Sequence, residues 1–549
     1  MERFSINTGW RFAKLPGVSY TAPSLAGAKW ETLNLPHTWY RDDDQYRGLA
    51  VYQKTVEADY GPDKCILLEI GAADHTIRAF ANDVELGIHK GGYSRVRFAV
   101  PSRCVDKGKV ELTLYVDNSE TDDVSPLSGD FTVFGGLYRG ASLLVMEKSH
   151  FDYLYHATDG VIVRTAVHGN SGALCVEPHV ITDGEAKIKY IFRAPDGSIA
   201  AHFEGPANVS QTIDIPSVRL WQGKDGPALY TLEAELETDG VLTDRTTITT
   251  GFRTIAVHPD SGFSLNGNHM RINGVAKHQD FAGCCCAVTE TEIDRDFDLI
   301  AEVGANAVRL SHYQHPPYTY DKCDQAGLVV WAEIPMLKMS ENPDLQENAR
   351  QQMTELILQN IHHPSICFWG VQNEIAMFRD AAFIHENIKE LCGLARTLDP
   401  DRIVTCANLY PLKAKSELNH LTEMVGYNIY FGWYYGRMTD YGPYLDSLHK
   451  ELPQMPLGIS EYGVDCAAWL HSENPLVKDY SEEFQALFHE TVYPIIDSKP
   501  YLWGSFIWNL FDFSSSRRDE GGQKFINAKG LVTFDRETKK DAFYYYLNP

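Results

Sequence analysis

Eight short apolar runs, spaced almost evenly through the second half of the chain, restrict the fold more than any other feature. They begin at residues 271, 305, 327, 365, 402, 424, 456 and 501, and read RINGVAKHQ, ANAVRLSHY, GLVVWAEIP, SICFWGVQNE, RIVTCAN, MVGYNIY, PLGISEYG and YLWGSFIWNLFDF. Each is rich in β-formers and nearly continuous rather than alternating, as in strands buried on both faces. Intervals averaging about 33 residues suit a strand–helix repeat, and amphipathic segments fill them. Between the first two runs Thr289 and Glu292 make a capping box, after which Ile293, Phe297, Ile300 and Val303 recur at helical spacing. Eight such units within about 285 residues predict a (β/α)8 TIM barrel. An open doubly wound sheet would carry a glycine-rich phosphate loop at its first turn, and the sequence has none.

The first half follows another grammar. Residues 1–148 hold short alternating strands such as CILLEIGAA, RVRFAVP, KVELTLYVDN and ASLLVMEK, separated by Gly, Pro, Asp and Asn turns, which predicts a β-sandwich. Residues 149–256 repeat the pattern more compactly and predict an immunoglobulin-like β-sandwich without a disulfide signature. The expected order is therefore multidomain, with the barrel over residues 257–549.

A formal net charge of −25 excludes nucleic acid and anionic membrane as natural partners, since both demand basic patches. Eleven cysteines, without a CxxC pair, fit a reduced, cytoplasmic protein. Adjacent Cys284, Cys285 and Cys286 read as small packing residues rather than a three-thiol metal site. The start, MERFSINTGWRF, has no basic segment leading into an apolar one, and no run is long enough to span a membrane.

Barrel enzymes keep their chemistry at the carboxyl ends of the strands, and polar residues collect there. His278 follows the first run, Arg309 and His312 lie on the second, and Glu333 closes the third. Asn373 and Glu374 close the fourth, Tyr430 the sixth, Glu461 the seventh, and Trp508 lies on the eighth. Two carboxylates facing one cavity are the minimal apparatus for breaking a glycosidic bond. Glu374 is the candidate acid/base, which calls for a raised pKa; Glu461 is the candidate nucleophile. Tyr430 could hold Glu461 ionised and oriented, Asn373 could bond a sugar hydroxyl, and Trp508 offers an apolar face to a pyranose ring.

The stretches NGVAKHQD, GANAVRLSHYQHP, AGLVVWAEIP, HHPSICFWGVQNE, GISEYG and LWGSFIWNLFDF resemble glycoside hydrolase family 2. GDFTVFGGLYRG and LPHTWY are similar to that family's N-terminal sugar-binding domain, so the resemblance spans the chain. It implies a jelly-roll domain, an immunoglobulin-like domain and a barrel that hydrolyses terminal β-glycosides with retention, and a homo-oligomeric assembly. It matches Glu374 to the acid/base and Glu461 to the nucleophile. Asp130 matches an aspartate that reaches from the first domain into the sugar pocket, and His312 and His363 sit in matching substrate-binding motifs. The E-x-H magnesium-ligand pattern of the longest family members is absent after the third run, so no metal and no cofactor is expected.

For the sugar, Asn527, Lys529 and Gly530 form N-x-K-G, which resembles the clamp for the C6 carboxylate in members acting on uronic acids. A lysine and an amide can satisfy a carboxylate that a neutral-sugar pocket would leave unpaired. EYGVD and the absence of large extra C-terminal domains lean the same way, towards a β-hexuronidase. GANAVRLSHYQHP, FGWYYG and the tail NAKGLVTFDRETKKDAF also resemble neutral-sugar relatives, which makes a β-galactosidase the alternative. A carbohydrate-binding protein with an inert barrel is a third reading, disfavoured because both carboxylates are retained. Lys338, Arg517 and Arg518 read as solvated cations.

Overall fold

The computed structural model describes residues 1–19, 24–41, 44–58, 60–61 and 63–547. Eight parallel strands close a barrel in chain order: Ile272–Lys277, Ala307–Leu310, Val329–Glu333, Ile366–Asn373, Ile403–Leu409, Met424–Asn428, Leu457–Tyr462 and Leu502–Ile507. Each starts within two residues of an apolar run marked in the sequence. The ring closes where Ile272 pairs with Gly504 and Val275 with Ile507. Every residue of the second, third and fourth strands is buried, which is why these runs are continuous rather than alternating.

The capping box forms: the Glu292 carboxylate accepts from the Thr289 amide at 2.7 Å and opens the helix Glu290–Glu302. Helices Pro317–Ala326, Pro343–Asn360, Ala382–Leu398, Tyr441–Glu451, Glu482–Asp497 and Asp541–Tyr545 follow. The fifth unit departs from the expected repeat. Among the described residues only a 3-10 turn, Glu417–Asn419, lies between the fifth and sixth strands, where the connection runs from Leu409 to Met424.

Ahead of the barrel stand two antiparallel sandwiches. The first packs a four-stranded sheet on a six-stranded one, around Trp10, Phe12, Tyr52, Leu68, Leu112 and Leu114. The second packs three strands against four. Its strands Ser171–Pro178 and Tyr230–Thr238 bury every other residue, the period-two signature of a sheet with one face in the core. Gly327 ends a barrel helix at φ 70°, and a Cβ there would meet the Gly223 carbonyl at 2.3 Å. This close approach of the second sandwich to the barrel base requires glycine.

One long loop positions the site. After the strand Lys109–Asp117 the first sandwich sends residues 118–135 over the carboxyl end of the barrel. Ser125 Oγ donates to the Pro335 carbonyl at 2.5 Å, and the Thr132 amide to the Ser514 carbonyl at 2.9 Å. Asp130 rides on that loop. Among the described residues no helix is long and apolar enough to cross a membrane, and none of the eleven cysteines is in a disulfide.

Candidate active site

A cavity of about 460 Å³ opens at the carboxyl end of the barrel. Its wall includes Asp130, His312, Asn373, Glu374, Tyr430, Glu461, Trp508, Asn527 and Lys529. Of the residues given a catalytic or substrate-binding role from the sequence, His363 is absent from that wall, and the strand-end residues His278, Arg309 and Glu333 lie behind it. The H-P-S motif lies before the fourth strand, so its histidine falls at the amino end of the barrel, on the opposite face from the site. There His363 Nδ1 meets Asp324 Oδ2 at 2.7 Å. Asp324 also accepts the Ser365 amide and, through its carbonyl, the Trp221 indole of the second sandwich at 2.9 Å. The substrate-binding expectation for His363 is corrected: it ties the barrel base together. Asp321, Asp324 and His363 offer three potential ligand atoms within 4.8 Å of one another, but Asp324 and His363 already satisfy each other.

Arg309 organises the two carboxylates. Fully buried, it donates through Nη1 to Glu461 Oε1 at 2.7 Å and through Nη2 to Glu333 Oε1 and Asn373 Oδ1, both at 2.9 Å. Burial works against its charge, but Glu333 and Glu461 outweigh that and hold the guanidinium charged. Tyr430 donates its hydroxyl to the other oxygen of Glu461 at 2.5 Å. Both oxygens of Glu461 therefore accept, which fixes the carboxylate in one orientation. His312 Nδ1 contacts Glu333 at 2.6 Å, and its ring stacks on Trp508 with centroids 5.0 Å apart.

Glu374 stands just past the end of the fourth strand, at φ 51°. Its amide donates to the Ala407 carbonyl and its own carbonyl accepts from Met377, each at 2.8 Å. A non-glycine residue in the left-handed region costs about 1–2 kcal/mol, the kind of strain that concentrates at functional positions. Asn428 Nδ2 donates to Glu374 Oε1 at 2.9 Å and to Asn373 Oδ1 at 3.1 Å. Burial first, and then the negative charge of Glu461, push the Glu374 carboxyl up to about 8. The pair is electrostatically split: Glu461 has a cation and a hydroxyl on it, whereas Glu374 has a neutral amide. Opposed environments of this kind assign an acid and a base to two chemically identical groups.

Away from Glu374 the cavity ends in a charged network. Lys529, 1% exposed, donates to Asp465 Oδ2 at 2.5 Å. Burial opposes its charge, but Asp465 more than compensates and raises the ammonium's pKa. Arg518 bridges Asp465, at 3.2 Å, to Asp130 Oδ2, at 2.9 Å, and Asn527 Nδ2 donates to the same Asp130 oxygen at 3.0 Å. The expectation that Arg518 is solvated is corrected: its side chain is 10% exposed and meets the carboxylates of Asp130, Asp465 and Glu520, because the hairpin Phe513–Glu520 and Gln523–Asn527 folds back over the barrel mouth. Arg517 lines the cavity.

Arg309, Glu333, Asn428, Asp465 and Arg518 carry contacts that the sequence did not assign. Arg309 and Glu333 were visible as charges inside apolar strands, and Asp465 as the last residue of EYGVD. Asn428 and Arg518 had no local signal. The arrangement can protonate a leaving oxygen with one carboxylic acid while a second carboxyl group, fixed at both oxygens, stands inside the same cavity. Fold and site together define a glycoside-cleaving hydrolase, built on a TIM barrel with a loop from an appended sandwich at its mouth.

Comparison with known proteins agrees. Residues 255–547 match the family model described as glycosyl hydrolases family 2, TIM barrel domain, and residues 157–253 match the model glycosyl hydrolases family 2. A beta-glucuronidase of Bacteroides fragilis is 34% identical, over 94% of this chain and 78% of its own length. The crystal structure of an FMN-binding beta-glucuronidase from Faecalibacterium prausnitzii L2-6 superposes with a TM-score of 0.94 at 36% identity, covering all of this chain and 85% of that one. A structure described as a putative beta-galactosidase from Bacteroides fragilis gives the same TM-score at 31% identity, with the same coverage. The chain belongs to glycoside hydrolase family 2 and is a glycosidase.

Proposed function

We propose that this glycosidase removes a terminal β-linked hexuronic acid, glucuronic acid foremost, from an alcohol or phenol, with retention at the anomeric carbon. The observation that carries the reading is the buried Lys529 ammonium in the cavity wall, with Asn527 two residues before it. Beta-glucuronidases among the relatives support the same sugar. In this mechanism Glu374 protonates the glycosidic oxygen while Glu461, held by Arg309 and Tyr430, attacks the anomeric carbon and forms a glycosyl ester. Glu374, now ionised, then takes a proton from water, and the water's oxygen displaces Glu461. Asn373 gives its oxygen to Arg309 and Asn428, leaving its amide N–H groups for a sugar hydroxyl. Trp508 supplies the ring platform, and Asp130, entering from the first sandwich, closes the pocket so that only a chain end fits.

The carboxylate of the sugar meets a lysine already neutralised by Asp465 but flanked by Arg518, whose second carboxylate, Asp130, is half exposed. A charge-assisted hydrogen bond of about 1.5–3 kcal/mol corresponds to roughly tenfold to a hundredfold in selectivity. Wild type is expected to hydrolyse 4-nitrophenyl β-glucuronide with higher kcat/KM than the β-galacturonide or the β-galactoside. Lys529→Ala should lose that much on the uronide and little on the galactoside, with folding checked by its melting temperature. A faster wild-type reaction on the galactoside would establish the galactosidase reading instead.

We also propose that copies associate. Trp469, Leu476 and Val477 stand 60%, 69% and 54% exposed on the loop after the seventh strand, and apolar side chains grouped in this way favour a partner surface. Sedimentation should give a mass above that of one chain, and Trp469→Glu with Leu476→Glu should lower it; a monomeric wild type removes the idea.

A further inference from the structure

The catalytic cavity has two unlike ends, and Glu374 stands between them. Towards the seventh and eighth strands lie Asp130, Asn527, Lys529 and Arg518, a set suited to sugar hydroxyls and a carboxylate. On the other side, over the ends of the third to sixth strands, the wall is Leu337, Met377, Phe378, Leu409, Tyr410 and Tyr435. This is the side on which an acid at Glu374 would release the departing alcohol. Its polar groups are few: the Tyr435 hydroxyl, whose oxygen already accepts from the Tyr430 amide at 2.9 Å, and the Tyr410 hydroxyl. A sugar as leaving group would bring more hydroxyls than these two tyrosines can pair, at a cost for each one left over.

Met377 and Phe378 are 50% and 69% exposed, although they belong to the tight turn that fixes Glu374. Phe378 also borders a second cavity of about 460 Å³, lined by Lys338, Ser340, Glu341, Arg379, Phe383 and Ile384. The two spaces share this one ring as their common wall. Lys338 Nζ lies 5.6 Å from the centre of the Phe378 ring, so an electron-rich ring laid beside Phe378 would also meet a cation. The far end of the second cavity is polar, with Arg379 4.0 Å from Glu341.

We propose that the leaving group is an elongated aromatic alcohol, whose first ring rests on Met377 and Phe378 and whose second part crosses Phe378 into the adjoining groove. This rests on the hydrolytic reading of the site but not on the identity of the sugar. Together the two spaces approach the upper part of the roughly 300–1,000 Å³ typical of small-molecule sites, more than one sugar ring fills. Phe378 is a specificity residue here, outside the bond-breaking machinery.

The test uses phenyl and 4-phenylphenyl β-glycosides of whichever sugar wild type cleaves fastest, so that failure of the uronide reading leaves it intact. The two phenols are of nearly equal acidity, and their ratio reports binding rather than leaving-group chemistry. Wild type is expected to show a KM about tenfold lower for the 4-phenylphenyl glycoside, the scale of one further buried ring. Phe378→Ala should remove most of that difference, with the loss on the 4-phenylphenyl glycoside about tenfold greater than any loss on the methyl glycoside, while Phe378→Trp retains the difference. Because the ring is exposed, the substitution does not threaten folding. Equal KM values for the two aryl glycosides in wild type, an equal loss on methyl and biphenyl substrates in Phe378→Ala, or a preference for a disaccharide over both, would each overturn the proposal.

Discussion

Replacing Glu461 by glutamine is expected to reduce kcat by at least about 10³-fold on every substrate, since a catalytic nucleophile removed alone costs on the order of 10⁶ in a well-studied hydrolase. An amide cannot form the glycosyl ester, and its geometry makes matters worse. Glu461 accepts from Arg309 at one oxygen and from Tyr430 at the other; in the amide the carbonyl must face Arg309, and the NH₂ then reverses the Tyr430 bond by donating to its oxygen. The buried guanidinium keeps an acceptor but loses a charged one, so a loss of about 1–3 kcal/mol in stability accompanies the loss of rate. Two measurements separate these effects. Thermal unfolding follows the first, and covalent labelling by a 2-deoxy-2-fluoro glycoside follows the second. Wild type should carry the label on the peptide containing residue 461, and Glu461→Gln should carry none. Turnover that survives the amide, or a label on another carboxylate, would move the nucleophile elsewhere.

Glu374→Gln should cost about 10²–10⁴ in kcat/KM, the usual worth of general acid catalysis, with the loss graded by leaving group. A methyl glycoside, whose alkoxide cannot depart unprotonated, stands at the upper end. A dinitrophenyl glycoside, whose phenolate leaves unaided, should retain fast formation of the covalent intermediate and accumulate it. The pH profile follows from a carboxyl raised from the usual 4.5 to about 8 by burial and by Glu461. Below pH 8 the acid is protonated and competent; as pH rises through 8 it ionises, and kcat/KM should fall about tenfold per pH unit. This alkaline limb should be absent from Glu374→Gln.

The same shift acts on stability. Between pH 4.5 and 8 the folded protein holds a proton that the unfolded chain has released, so stability declines across that window and levels off above it. At 1.36 kcal/mol per pH unit the decline amounts to about 4–5 kcal/mol. Glu374→Gln escapes it, and should be increasingly more stable than wild type from pH 5 to pH 8. The strained, desolvated acid is thus held at the expense of the fold, a common exchange between activity and stability. A variant that melts below wild type at pH 8 would contradict this assignment.

Much of this was legible along the chain because it is local. A buried parallel strand announces itself by a continuous apolar run, and all eight runs became strands. A barrel places its chemistry at strand ends, so the polar residue that terminates such a run is readable as a candidate, which is how Glu374, Glu461, Asn373 and Tyr430 came to one cavity. The same rule explains the failure at His363. Its motif is adjacent to the fourth run but precedes it, and a strand's two ends lie on opposite faces of the barrel. The fifth crossover was misread as a full unit because periodicity counts runs and not what lies between them.

Arg518 and Asp465 show where local reading stops. Nothing near Arg518 marks it as buried: Glu520 beside it is a surface partner, and the two carboxylates that draw it inward come from positions 130 and 465, brought to it by a loop from another sandwich and by the turn after the seventh strand. The amino-acid sequence by itself determined the barrel, the two sandwiches and the pair of carboxylates, because hydrophobic periodicity and strand-end polarity are short-range properties. Only the tertiary structure decided how the surroundings of the two carboxylates divide. That division depends on which side chain Arg309 and Tyr430 touch and which is left in a dry pocket, and charge and burial are set by neighbours that are distant in the chain.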